Sequence, residues 1–345
     1  MTSKFRKLTA ECAELERRRV VAVWPEDEAS RQALEQAMVC GVAHVIIVDN
    51  GSDWSLKMAE RFPGLTEHIL ALDPTEASLA AVETVREGKA DVIFKGLVNT
   101  DVLLHAVLDR QHGILEPGRV LTHITATDIP SYHKLLFFSD AAVIPYPNLE
   151  QMEAMVRYGT AICRRLGIDR PKVALIHFTE KISQKFPYTI DYVTLERRAA
   201  EGRYGQAQLA GPMDVKSACD LHSAQVKSID SDVTGNADFL IFPALSAANT
   251  FYKTLSLFGG AQMAAIVVGA QAPIVVPSRA DDKQTKFNSL ALACRVGNLV
   301  GPTAERPSEA NYFFNQVNNS VQTQSQNHEN TRNQSGVDLN KMGRL

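Results

Sequence analysis

The chain has 345 residues, enough for about two domains at the usual ~150 residues each and for a substantial buried core. Its composition, 45% hydrophobic and 22% charged, is that of a soluble globular protein. The formal net charge of -3 argues against bulk affinity for nucleic acid or membrane, and no stretch approaches ~18 uninterrupted apolar residues. The five cysteines, Cys12, Cys40, Cys163, Cys219 and Cys294, are scattered and odd in number, with no C-x-x-C, which fits a reducing compartment better than a disulfide framework. The basic start, Met1 to Lys7, runs into Glu-rich helical sequence, so the expected location is cytoplasmic.

Strands and helices alternate along the chain. A helix carrying Cys12 to Arg19 precedes the buried strand Val20 to Val23, and Glu26 to Cys40 has helical periodicity through Ala29, Ala33, Ala37 and Met38. His44 to Val48 is a second strand. Asp73 and Pro74 start a helix as N-cap and first helical residue, with Leu79, Val82 and Val85 on its apolar face. The strand Asp91 to Phe94 ends at Lys95-Gly96, and Leu103, Leu104, Val107 and Leu108 mark the helix after it. Val120 to Ala126 reads as a strand, Leu135 to Phe138 and Ala141 to Ile144 as a pair, and Pro145-Tyr146-Pro147 as a domain boundary. Asn148 caps a long helix towards Gly167, and Lys172 to His177 opens a second α/β unit whose strand empties into the donor-rich loop Glu180 to Thr189. Gly211-Pro212 reads as a turn before a helix from Asp214. The strand Phe239 to Phe242, a helix carrying Asn249, Tyr252 and Lys253, and the strand Ala264 to Val268 follow. From about Asn315 the Asn, Gln and Ser-rich composition is that of a disordered tail. Strand-helix alternation predicts a mostly parallel sheet covered on both faces.

The stretch Pro273 to Ser289 is where chemistry concentrates. The β-branched run Ile274 to Val276 stops at Pro277 and delivers Ser278 and Arg279 to a sheet edge, and Phe287, Leu290, Ala291 and Cys294 then recur at helical spacing. Asp281, with Gln284 three residues on, can cap that helix. A hydroxyl, a guanidinium and open helix-start N–H groups suit an oxyanion such as phosphate. Lys95, after another strand, can hold an anion in the same way. The chain lacks G-x-x-x-x-G-K-[ST], a G-x-G-x-x-G after the first strand, H-E-x-x-H and G-x-S-x-G. His44, His68, His105, His112, His123, His133, His177 and His222 are scattered and read as structural or exposed. What remains is a set of oxyanion binders at strand ends: Lys95, Lys185, Lys253 and Arg279, with hydroxyls at Thr100, Ser278 and Thr285.

Several spaced segments then resemble one family, the phosphate acetyltransferase and phosphate butyryltransferase group. Phe94 to Thr100 is similar to its K-G-L-V-x-T segment, Gly118 to His123 to G-R-x-L-S-H, and Glu180 to Thr189 to E-x-x-x-x-K-x-P-x-T. Val233 to Asp238 resembles V-A-G-x-A-D, Asn249 to Lys253 resembles N-x-x-Y-K, and Ser278 to Ser289 the butyryl branch's S-R-A-D-x-x-x-T-K-x-N-S. The resemblance implies an α/β fold of two three-layer domains with mostly parallel sheets and an interdomain cleft, like isocitrate and isopropylmalate dehydrogenases. The expected divisions are residues 1–146 with 267–306, residues 147–266, and a disordered polar tail over 307–345.

The resemblance also implies reversible transfer of an acyl group from acyl-CoA to phosphate, with butyryl or another short chain preferred. Ser278, Arg279 and Asp281 are the expected catalytic residues. Ser278 would bond the thioester oxygen and Arg279 the phosphate; for a thiol whose pKa is near ~8.5, either Asp281 would serve as base or no base is strictly needed. Lys95, Thr100, Lys185, Asn249, Tyr252, Lys253 and Thr285 are expected to bind substrate. No cofactor or metal is implied beyond coenzyme A as co-substrate. The expected partners are acyl-CoA and inorganic phosphate, with neither nucleic acid nor membrane, and the expected assembly is a homodimer or higher homo-oligomer.

Departures from the family pattern are Thr285 where the acetyl branch has aspartate, Ala248 for glycine, Ala244 and Ala210 for aspartates, and Ile144 for asparagine. These substitutions motivate a second reading, a non-catalytic acyl-CoA-sensing module. A third is a metal-dependent decarboxylating dehydrogenase, against which stands the lack of an evident aspartate cluster for Mg²⁺.

Overall fold

Runs of β-branched and small apolar residues form the spine of the molecule, because each can be buried on both faces only inside a covered sheet. A computed structural model describes residues 3–299. The tail expected over 307–345 lies outside the described residues, as do residues 300–306.

The first half of the chain comprises α1 (Lys4–Ala13), β1 (Arg18–Val23), α2 (Glu28–Val39), β2 (Ala43–Asp49), α3 (Asp53–Arg61), β3 (Thr66–Leu70), α4 (Pro74–Arg86), β4 (Val92–Lys95), α5 (Thr100–Leu108), β5 (Thr122–Asp128) and β6 (Leu136–Ser139). The second half comprises α6 (Leu149–Arg165), β7 (Lys172–Ile176), α7 (Pro187–Ala200), β8 (Gln208–Met213), α8 (Val215–Cys219), α9 (Leu221–Val226), β9 (Phe239–Ile241), α10 (Leu245–Leu257), β10 (Gln262–Val268), β11 (Ile274–Val275) and α11 (Lys283–Val296). Local chemistry sets many of the helix starts. The side chains of Asp27, Ser52, Asp214 and Asp282 each accept an N–H of the helix they precede, and Asn148 forms a full capping box with Gln151.

Among the described residues the strands join one sheet in the order β3-β2-β1-β4-β11-β10-β5-β6-β9-β7-β8. Pairings are parallel except where β10 meets β11 and β5, and where β5 meets β6. The mostly parallel α/β sheet therefore matches the expected class. β11, though late in sequence, pairs with β4 through Ile274↔Ile93 and Val275↔Phe94. That pairing brings the loops after residues 95 and 275 side by side. One apolar cluster covers one face through Ala22, Phe94, Val275 and Phe287. On the other face one cluster lies over Val21, Ile93, Ile274 and Val267, and another over Phe138, Leu240 and Tyr252.

Four local expectations need correction. The opening helix ends at Ala13, and Arg18 and Arg19 belong to β1, where Arg19 pairs with Asp91 at 2.7 Å. Residues 141–144 are not a strand, because the Asp140 carboxylate takes the Ala142 and Val143 N–H groups at 2.8 and 2.7 Å and bends the chain. Gly211 and Pro212 lie within β8 rather than in a turn; β8 is an edge strand, where proline is tolerated. The cap of α11 is Asp282, not Asp281.

Gly159 of α6 lies against the ring of Phe239 in β9, and a Cβ there would come within 2.0 Å of it. Phe239 is fully buried and fixed in the sheet. The gain in helix propensity from Gly to Ala is at most about 1 kcal/mol, whereas overpacking costs about 1–3 kcal/mol. Gly159→Ala should therefore lower unfolding free energy, read as a reduced urea midpoint at unchanged slope; a raised midpoint would contradict this packing.

Candidate active site

The loop after β11 is shaped by its own backbone. The Ser278 N–H donates to Asp281 Oδ2 at 2.8 Å, and the Asp281 N–H returns to the Ser278 carbonyl at 3.1 Å, closing a tight turn. Asp282 is thereby left to cap α11, accepting the Thr285 N–H at 2.8 Å. The adjacent aspartates thus divide two tasks that the sequence assigned to Asp281 alone. Gln284, expected to complete a capping box, instead donates to Asn288 at 2.8 Å.

Arg279 reaches across to the loop after β4, where Nη2 donates to Asn99 Oδ1 at 2.6 Å. Asn99 is the N-cap residue of α5 but makes no side-chain cap bond, so the α5 start, with Thr100 exposed as its first residue, keeps open N–H groups beside a guanidinium. Lys95 lies under this loop with only 4% of its surface exposed, and its ammonium donates to the carbonyls of Gly96 and Val98 at 3.2 and 2.9 Å. Burial lowers its pKa, and the charges of Lys286 and Arg279 lower it further. Gly96 permits the loop's close approach, since a Cβ there would meet the Trp24 carbonyl at 2.4 Å.

Lys286, in the first turn of α11, is buried and donates to Asp27 at 2.5 Å and Ser30 at 3.0 Å. Burial alone would push the Asp27 carboxyl up, but bonds from Lys286 and Ser30 hold it below its ordinary value. This tie fixes the start of α11, and hence the turn before it, to the cap of α2.

Across from the turn, α10 contributes Tyr252 and Lys253. Tyr252 is buried edge-on to Phe138, with its phenol pKa raised by burial and by the charges of Asp281 and Asp282. Lys253 is exposed, with its ammonium 4.9 Å from the Tyr252 ring centroid. Asn249 donates to the Ala141 carbonyl at 3.0 Å. Thr285 is half-buried in α11, its carbonyl accepting from Ser289. Lys185 is exposed in the loop before α7, and no hydrogen bond or ion pair among the described residues ties its ammonium to the Ser278 turn. Ala244 stands at the α10 N-cap without a side-chain bond, where an aspartate would accept one. Among the described residues no three His, Cys, Asp or Glu side chains are grouped to hold a metal ion.

Asp281 has the electrostatics of an acid/base group. Burial raises its pKa above the ordinary carboxylate value, while the Ser278 N–H, Lys253 and Lys286 pull it down and Asp282 pushes it up. Sequence reading passed over Asn99 and Lys286. The first lies in the same strand-to-helix segment as Lys95, and Lys286 stands out as a lysine next to the apolar helix residue Phe287.

A carboxyl whose folded pKa is raised contributes stability that is full below its unfolded pKa and is lost as pH rises through the folded value. Asp281→Asn should therefore be more stable than the parent at neutral pH, with the gain fading below about pH 4. Melting temperatures across pH check this, and a gain that persists at low pH would contradict the assignment.

Residues 55–294 match the sequence family described as phosphate acetyl/butaryl transferase. The chain is 31% identical over 298 residues to a phosphate butyryltransferase of Clostridium beijerinckii, covering 86% of this chain and 98% of that protein. It is 33% identical over 225 residues to a phosphate acetyltransferase of Thermotoga maritima, covering 65% and 76% respectively. A branched-chain phosphotransacylase from Enterococcus faecalis V583 superposes with a TM-score of 0.71 at 24% identity, over 81% of this chain and 98% of that one, and so shares the fold. With the family match and near-complete coverage of the Clostridium relative, this chain belongs to the phosphate acetyl/butaryl transferase family.

Proposed function

We propose that the chain is an acyltransferase that converts acyl-CoA and inorganic phosphate into acyl phosphate and CoA, with butyryl or another short acyl group as substrate. The observation that carries this is the junction of Arg279, Asn99 and the open start of α5, beside a turn holding Ser278 and a carboxyl of raised pKa. Phosphate, with its second pKa at about 6, is largely dianionic near neutral pH and needs positioning more than activation. Arg279, oriented by Asn99, holds it with the donors that remain on its guanidinium. Ser278 donates to the thioester oxygen as negative charge develops there.

A phosphate oxygen attacks the acyl carbon, the C–O bond forms, the C–S bond breaks, and the thiolate leaves as CoA. In reverse, Asp281 takes the thiol proton as sulfur attacks the acyl phosphate. Its raised pKa brings it nearer to the thiol's and makes the transfer less uphill. Lys253 offers a further cation from α10. Lys95 supports the loop from below. Coenzyme A serves as co-substrate, and no metal or covalent acyl-enzyme takes part. The site lies in a cleft between residues 1–146 with 267–306 and residues 147–266, in a homo-oligomeric enzyme. Support for the butyryl branch comes from Ser278-Arg279-Ala280-Asp281 followed by Thr285-Lys286, and from the Clostridium relative.

The test is CoA release from acetyl-, propionyl- and butyryl-CoA with phosphate, followed with a thiol reagent. Phosphate-dependent release is expected, fastest with one of the longer chains. Binding of acyl-CoA without release would instead favour a sensing module. Removing one donor from developing charge typically costs about 10²- to 10³-fold. Arg279→Gln should lower kcat/KM for phosphate by about that factor, and an Arg279→Gln enzyme with parental kinetics would sink the assignment.

A further inference from the structure

Three adjacent parallel strands end at the same sheet edge, and the Arg279–Asn99 contact joins the loops after two of them. Register sets Val23 of β1 beside Lys95 of β4, and Phe94 of β4 beside Val275 of β11, so the β1–α2 loop, residues 24–27, emerges next to the loops that carry Asn99 and Arg279. Its backbone supports the first of them. The Val23 carbonyl accepts the Gly96 N–H at 2.9 Å, and the Trp24 carbonyl accepts the Leu97 N–H at 2.7 Å. The two loops lie so close that a Cβ on Gly96 would overlap both the Trp24 carbonyl and the Pro25 Cα.

Trp24 sits at φ 52°, in the left-handed region that a bulky side chain seldom occupies, and burial in the apolar cluster with Val98 and Leu103 holds it there. The far end of the same short loop grips the other site loop. Asp27 accepts the Lys286 ammonium at 2.5 Å, and the Lys286 N–H bonds the carbonyl of Asp282, the residue after Asp281, at 3.1 Å. Asp27 is itself fixed as the α2 cap by the Ser30 N–H at 2.9 Å, and the Arg31 side chain donates to the Pro25 carbonyl at 2.9 Å. With the Arg279–Asn99 bond these contacts close a ring that runs from Trp24 to Leu97, from Asn99 to Arg279, and from Lys286 to Asp27.

We propose that the β1–α2 loop is a third loop of the acyl-transfer site and that Asp27 is a positioning residue, setting the placement of Arg279 against Asn99 through Lys286. The inference rests on the acyltransferase reading and adds to it the group that aims the phosphate-binding loop. Lys286 is only 4% exposed and also donates to Ser30 at 3.0 Å, so its ammonium has one resting place and the ion pair defines one position for the start of α11. Phosphate attack is sensitive to that position, since a misplacement of about 1 Å costs about 10²-fold in rate. Asp27 acts through Lys286, so its role is placement and not chemistry.

The test measures kcat/KM for phosphate in CoA release from butyryl-CoA, for Asp27→Ser, Arg279→Gln and the combined variant, with melting temperatures alongside. Serine keeps the α2 cap but is too short to reach Lys286. A loss of about 10- to 100-fold is expected for Asp27→Ser. Most of that loss should vanish in the Arg279→Gln background, where the guanidinium being placed is gone. A merely structural Asp27 predicts a lower melting temperature with parental kinetics, or the same fold loss in both backgrounds, and either result overturns the proposal. Leaving Lys286 buried without its partner is destabilising. Should Asp27→Ser fail to fold, Asp27→Ser combined with Lys286→Met, which removes the stranded charge, is compared in the same two backgrounds by the same criteria. If the parent releases no CoA with phosphate, the acyltransferase reading falls and this inference with it. If the parent is active and the Asp27 variants keep its kinetics, only the role of Asp27 falls.

Discussion

The Arg279–Asn99 hydrogen bond, at 2.6 Å across 180 positions of sequence, is the contact on which the site depends. It exists because β11 is inserted beside β4 late in the chain, so that two strand-to-helix loops end at the same edge. Arginine in solution carries considerable rotamer entropy, and a carboxamide acceptor holds its planar fork in one orientation without neutralising it. A carboxylate in place of Asn99 would orient Arg279 equally well but would compete with an incoming anion. The amide orients and leaves the charge available. The same contact diverts Asn99 from capping α5, so one side chain both aims the guanidinium and leaves helix N–H groups open.

Beneath this contact lies a layer of buried cations and their partners. Lys95 is occupied by carbonyls of its own loop, and Lys286 by Asp27 and Ser30, so both stabilise the loops rather than compete for ligand. Their charges still add to the field above them, as the lowered pKa of Lys95 records. Asp281 sits in that field yet has a raised pKa, which means that burial outweighs the attraction of Lys253 and Lys286. The one-residue offset between Asp281 and Asp282 makes this arrangement possible. Asp282 serves the helix, and Asp281, bonded to the Ser278 N–H, remains in the turn that carries Arg279.

Sequence reading succeeded where composition and period carry the information. The buried strands around Val20, Ile46, Ile93, Ile274 and Phe239 were legible because β-branched or uniformly apolar runs suit a doubly covered sheet, and the caps Asp73 and Asn148 because their chemistry is local. It failed where a side chain takes over backbone groups. Asp140 bends residues 141–144 out of an apparent strand, and Glu196 takes the Gly211 N–H within β8 at 2.6 Å, so a dipeptide that signals a turn sits in an edge strand instead. The slip from Asp282 to Asp281 came from pairing Asp281 with Gln284, a local pattern that the Gln284–Asn288 contact overrides. Ser278, Arg279 and Asp281 were visible as a strand-end motif, but the pairing of Arg279 with Asn99 depends on strand order.

The central claim is that Asn99 acts on catalysis through Arg279. A double-mutant cycle on kcat/KM for phosphate, using Asn99→Ala, Arg279→Ala and the double variant, measures it directly. If Asn99 works by orienting Arg279, removing it matters little once Arg279 is gone, and the cycle should give a coupling of about 1–3 kcal/mol. Additive effects of the two substitutions would contradict the account.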